Sequence, residues 1–190
     1  MILLKSSIFI IFLAICGNAF ASGEFLFISA TEDTTKGWSN PSEKIARIVI
    51  ADDINIKKNI DEQIAEDGLK KNYRQFLSIK SVNLSELSES YNFIRPKSDL
   101  YSSLYGAHIY HYWILNKYNK VVFSMTGDLF GILRGVTNGM HNIISRQCRG
   151  IYGCFDTTLA FIKNEYKPIS CIKYQPEDNR KSLSCEDWDK

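Results

Sequence analysis

Acid–base chemistry in this chain would have to start from its three histidines, His108, His111 and His141, because histidine is the side chain whose ordinary titration lies nearest neutrality. His108 and His111 stand three apart in Ala107 to Leu115, a run rich in Tyr and Ile that reads as a strand. A period of two sets them on opposite faces, so they cannot share a metal ion. Their neighbours Tyr110, Tyr112 and Trp113 predict two rings packed among aromatics. His141 falls between a turn and a strand, in a stretch that also carries Arg134, Arg146 and Arg149. It becomes a general acid or base only where a carboxylate orients it. Asp128 and Asp156 are the nearest carboxylates in sequence, so an enzyme reading places its active site around His141 and Asp128.

The familiar catalytic signatures are missing: there is no G-x-S-x-G, no H-E-x-x-H, no phosphate-binding G-x-x-x-x-G-K and no G-x-G-x-x-G. Ser124-Met125-Thr126-Gly127-Asp128 offers hydroxyls and a carboxylate but reads as a strand end and turn. Glu86 and Glu89 stand on a serine-rich connection and read as solvated. Cys148, Cys154, Cys171 and Cys185 contain no C-x-x-C pair with which to grip zinc. No catalytic residue, metal or cofactor is therefore predicted, and whether the protein is an enzyme stays open with the balance against it.

The first 21 residues have the form of a cleavable secretory signal: a charge at Lys5, the apolar run Ile8 to Cys16, then Ala19-Phe20-Ala21. The apolar run is about half the roughly 20 residues that a membrane span needs, so no transmembrane anchor is expected in the mature chain. Leu13-Ala14-Ile15-Cys16 is a lipobox-like alternative that would tether the protein through Cys16, but the bulky Ile15 disfavours it. Export turns the four remaining cysteines into two expected disulfides. Three connectivities are possible. The most local joins Cys148 to Cys154 and Cys171 to Cys185, closing loops worth roughly 2.5 and 3 kcal/mol of chain entropy. Loss of Lys5 lowers the net charge from +2 to +1, too balanced to imply a nucleic-acid partner.

Residues 22–190 suit one domain. Pro176 to Lys190 is polar, with Trp188 as its one large apolar group, and reads as a surface tail pinned by Cys185. Glu24 to Ser29 could be a first strand. Asn40-Pro41-Ser42-Glu43 predicts a helix start with Asn40 as its cap. Ile56, Ile60 and Ile64 predict a second helix from about Ile54 to Asp67, stopped by Gly68. Arg74 to Val82 is ambiguous, and Asn83 to Ser90 reads as a polar connection whose Asn83-Leu84-Ser85 is a lone glycosylation sequon. Further strands follow at Ala107 to Leu115, Val121 to Met125, Leu129 to Leu133, Met140 to Cys148, Cys154 to Lys163 and Ile169 to Tyr174. Strands joined by short turns make a meander. The expected fold is α+β, with N-terminal helices packed on a C-terminal antiparallel sheet.

Leu129 to Phe155 holds Arg134, Arg146 and Arg149 and no acidic residue, a local positive charge that the whole-chain figure hides. Inside it, Arg149-Gly150-Ile151-Tyr152-Gly153 lies between two cysteines with strand-like sequence on both sides. A disulfide there would close a hairpin tip that presents Arg149, Ile151 and Tyr152. Tyr and Arg are favoured interface anchors, and prior closure lowers the entropy lost on binding. At the loop alone the arrangement resembles the periplasmic inhibitors of vertebrate-type lysozyme, which show a disulfide-closed loop between two strands of an α+β domain. The loop here lacks a histidine, and Arg149 would meet a basic lysozyme with like charge, so the resemblance assigns no family. The expectation is an exported, periplasmic or extracellular, binding protein with a protein partner, such as an immunity or inhibitor protein against an envelope-acting toxin or hydrolase.

Overall fold

The computed structural model describes residues 24–30, 37–87, 89–97, 110–149, 153–174 and 181–185. The proposed signal, Cys16 and His108 lie outside them. After strand β1 (Phe25–Ala30) come helices α1 (Glu43–Asp52) and α2 (Ile54–Glu66) and a single 3-10 turn at Tyr73–Phe76. Strands β2 (Leu77–Asn83), β3 (Ser90–Pro96), β4 (Tyr110–Leu115) and β5 (Val121–Gly127) follow. The chain continues through β6 (Leu129–Thr137), β7 (Met140–Cys148), β8 (Cys154–Ile162), β9 (Glu165–Tyr174) and β10 (Lys181–Leu183).

The strands form two sheets, one of six in the order β1-β6-β7-β8-β9-β10 and one of four in the order β2-β3-β4-β5. Every pairing is antiparallel. This corrects the α+β expectation of N-terminal helices laid on one C-terminal meander. Strand makes up 55% and helix 21% of the structure described, and the two helices are short. β1 precedes the helices yet pairs with β6, and the stretch from Leu77 to Gly127 builds a sheet of its own. Within the expected polar tail, Lys181–Leu183 adds β10 to the edge of β9.

Local chemistry accounts for the helix boundaries. Ser42, not Asn40, caps α1: its Oγ accepts the Ile45 N–H at 3.3 Å, with Ser42 in an extended backbone conformation. Asp53 caps α2, its Oδ1 accepting from the N–H of Asn55 at 2.8 Å and of Ile56 at 3.2 Å. α2 ends where Gly68 takes φ 60°, a backbone region that a side chain penalises. Two hairpins turn through consecutive positive-φ residues, Asn138-Gly139 and Lys163-Asn164, the geometry that matches the twist of the strands on either side.

Alternation along the four-stranded sheet divides the core in two. Ile94, Trp113 and Leu115 share a cluster with Ala46, Val49, Ile50, Ile56, Ile60 and Ile64 of the helices. Phe93, Tyr110, Tyr112, Ile114 and Phe123 meet Phe130, Ile132, Ile143 and Leu159 of the six-stranded sheet. Phe93 is fully buried at the centre of this second cluster, with ring centroids of Phe130 at 4.8 Å, Phe27 at 5.0 Å, Tyr112 at 5.5 Å and Trp38 at 5.7 Å. Arg95 crosses between the sheets. Its Nη1 donates to Ser29 Oγ at 2.9 Å and to the Ala30 carbonyl at 2.7 Å, and its guanidinium lies 4.5 Å from the Trp38 ring centroid. A fully buried cation is thus held by hydrogen bonds and an aromatic face.

Candidate functional site

The stapled tip closes the β7–β8 hairpin. These strands pair from Ile143↔Leu159 to Cys148↔Cys154, which sets the last two cysteines directly opposite each other. Cys148 and Cys154 form one disulfide, with a Cα separation of 3.9 Å, and Cys171 and Cys185 form the other. Of the three possible connectivities the local one is present, and two disulfides fit an oxidising, exported environment. Beyond the first staple the Arg149 N–H donates to the Gly153 carbonyl at 2.9 Å, so the ladder runs one residue further. The exposed Arg149 places its guanidinium 5.8 Å from the Phe155 ring centroid, and Lys173 brings its ammonium to 5.3 Å from the same ring. Gly150, Ile151 and Tyr152 lie outside the described residues.

The positive patch expected around the tip is narrower than its sequence implies. Arg146 is paired: its Nε and Nη2 donate to the two carboxylate oxygens of Asp156 at 2.6 and 2.8 Å. Asp156 is cross-strand to Arg146, one residue beyond the acid-free stretch, and is 2% exposed. The Asp156 carboxylate beside it raises the Arg146 guanidinium above its already high range. Among the described residues, Arg149 and Lys173 bring their charges to the tip, both over the Phe155 ring.

His141 and Asp128, proposed from sequence as an active-site pair, are not brought together. In the β6–β7 ladder Leu129 opposes Arg146 whereas Val136 opposes His141. Asp128, one residue before Leu129, therefore lies at the opposite end of the hairpin from His141, six strand positions or roughly 20 Å away at about 3.3 Å each. The Asp128 carboxylate and the His141 backbone are each occupied locally. Asp128 receives the Cys148 N–H on its carboxylate, beneath the staple. His141 donates its backbone N–H to Leu84 at 2.8 Å and accepts the Tyr166 hydroxyl on its carbonyl at 2.9 Å. His111 packs among aromatics as its neighbours predicted, stacked on Trp113 with ring centroids 4.3 Å apart.

A feature missed from sequence is a groove of about 610 Å³ at the other end of the hairpin, lined by residues from an outer strand of each sheet. Phe27 of β1, Lys80 of β2, Glu86 and His141 line it. Lys80 lies 5.6 and 5.7 Å from the ring centroids of Phe27 and Trp38. Ile79 spends both backbone groups on Ser39, so strand alternation turns those of Ser81 and Asn83 outward along the same edge. The groove can accept a chain segment as well as a side chain. Its sequence signal was the alternation from Leu77 to Asn83, which identifies a strand but not an edge.

Among the described residues no group of three or more His, Cys, Asp or Glu is arranged to hold a metal ion, and no helix is long and apolar enough to cross a membrane. Comparison with protein-family models, curated proteins and solved structures finds no match to this chain.

Proposed function

We propose that this is an exported, disulfide-stabilised binding protein that recognises a protein partner through the stapled β7–β8 tip, with Arg149, Ile151 and Tyr152 as its contact residues. The observation that supports this reading is the Cys148–Cys154 disulfide, formed between directly opposed residues at the end of a long ladder. The disulfide and the Arg149–Gly153 hydrogen bond hold the base of the loop, and prior closure of this kind lowers the entropy lost on binding. The finer reading is a periplasmic immunity or inhibitor protein that neutralises an envelope-acting toxin or hydrolase. Export, an oxidised compartment and an arginine presented at a loop tip all suit that role.

Affinity capture with the mature protein tests the proposal, using the triple variant Arg149→Ala, Ile151→Ala, Tyr152→Ala as control. Loss of one strong anchor costs about 2 kcal/mol or more, so the variant is expected to bind the captured partner at least about 30-fold more weakly. Capture of the same partner at undiminished affinity by the triple variant refutes the tip as the recognition element.

A further inference from the structure

We propose that Ser124, His111 and Asp53 form an acyl-transfer centre that hydrolyses carboxylic esters, a second activity independent of the stapled tip. The three residues come from β5, β4 and the junction of α1 with α2. Ser124 Oγ lies 2.6 Å from His111 Nε2, and His111 Nδ1 lies 3.7 Å from Asp53 Oδ2. The Ser124–His111 contact is a hydrogen bond, whereas His111 and Asp53 stand at ion-pair range, longer than a hydrogen bond, so Asp53 orients the ring directly only after the two close by about half an ångström. The order of groups is that of a serine nucleophile, an imidazole base and a carboxylate. The nucleophile is open to solvent, whereas the base is 8% exposed.

Each member is held for the task by something other than its partners in the triad. The His111 ring is fixed by its stack on Trp113. Asp53 uses Oδ1 to cap α2, which leaves Oδ2 to face the imidazole. Ser124 stands directly opposite Trp113 on β5, the outer strand of the four-stranded sheet. Thr126, two residues on, turns its carbonyl away from β4 to accept from Ser145 Oγ and Gln147 Nε2. Alternation then turns the Ser124 N–H off the same edge, where a developing oxyanion at an acyl carbon bonded to Oγ could receive it.

The reaction needs only ester and water. Ser124 Oγ attacks the carbonyl carbon as its proton passes to His111 Nε2. The tetrahedral adduct collapses with cleavage of the C–O bond, and the alcohol leaves with that proton. Water then attacks the acyl-serine, gives a proton to Nε2 and releases the carboxylic acid as the proton returns to Oγ. Because Ser124 is exposed on a strand face, the site suits small acyl groups displayed on a larger molecule.

The base must be neutral to act. Burial pushes the His111 pKa below its ordinary value near 6.5, opposed by the facing carboxylates of Asp53 and Asp52. The neutral imidazole therefore prevails at neutral pH, and activity rises with pH through an inflection below that ordinary value before levelling off. Asp53→Asn keeps a residue that caps helices well but removes one of the charges favouring protonation. It is expected to move the inflection to lower pH, a shift that a purely structural Asp53 would not produce.

A fluorophosphonate probe and p-nitrophenyl acetate, applied to the whole folded protein, test the centre. The expected result is covalent labelling on the peptide carrying Ser124, together with ester hydrolysis that Ser124→Ala reduces at least tenfold. Ser124→Ala also removes a hydrogen-bond partner of the buried His111 ring, which lowers stability, so the assay is run below the variant's melting temperature with folding verified by circular dichroism, and its binding through the tip is expected to be unchanged. The proposal is overturned if the folded wild-type protein takes no label, or if Ser124→Ala is labelled and hydrolyses the ester as the wild type does.

Discussion

Phe93→Ala is expected to destabilise the protein by about 3 to 5 kcal/mol, the range found when a buried aromatic side chain is cut back and the cavity persists. Phe93 is fully buried where the two sheets face each other, and rings from both of them surround it. Phe27 and Phe130 belong to strands fixed in the six-stranded sheet, and Tyr112 to the neighbouring strand of the small sheet. None can move into the space without breaking a ladder, so collapse recovers little. Urea unfolding monitored by tryptophan fluorescence measures the change. A loss below 1 kcal/mol would mean that the facing sheets do not share this core.

The second large effect belongs to a charged pair. Asp156→Asn is expected to cost about 3 kcal/mol, because it leaves the partly buried Arg146 guanidinium facing a neutral amide. Breaking one half of a buried pair is more damaging than replacing both halves. The double variant Arg146→Met, Asp156→Leu should therefore be more stable than Asp156→Asn alone. Chemical unfolding of both variants decides the matter. If Asp156→Asn unfolds at the wild-type denaturant midpoint, the pair is a surface contact and not the fixed link between β7 and β8 described above.

Most individual strands were legible in the sequence because aromatic and β-branched runs were separated by turn residues. What stayed hidden was that they form two sheets. β3 carries Tyr91, Phe93 and Arg95 on the face toward the other sheet, and an arginine at a core-facing position followed by Pro96 erases the apolar alternation that marks a half-buried strand. Without β3, the strands of the small sheet merge with those of the large one into a single meander. The cap of α1 falls two residues later than the sequence suggests because both Asn40 and Ser42 are good cap residues, and the one whose side chain reaches an N–H depends on the path of the incoming chain. Long-range register was likewise out of reach.

The candidate sites divide along the same line. The staple was readable because its two cysteines and two glycines lie within seven residues, and the cysteines pair directly across the ladder. The groove and the Ser124–His111–Asp53 cluster are assembled by pairing between strands and by the seating of α2, so nothing in their spacing announces them. Conversely, His141 and Asp128 looked close in sequence and are separated by the length of their hairpin.

The most direct measurement of the tip's role is the affinity of the purified partner for the variant Cys148→Ser, Cys154→Ser, with the Cys171–Cys185 disulfide intact and folding verified by circular dichroism. Opening the staple leaves every proposed contact residue in place and removes only its prior ordering. A dissociation constant raised by tenfold or more, about 1.4 kcal/mol, is the result expected for a preorganised recognition loop. An unchanged dissociation constant in the folded variant would contradict it.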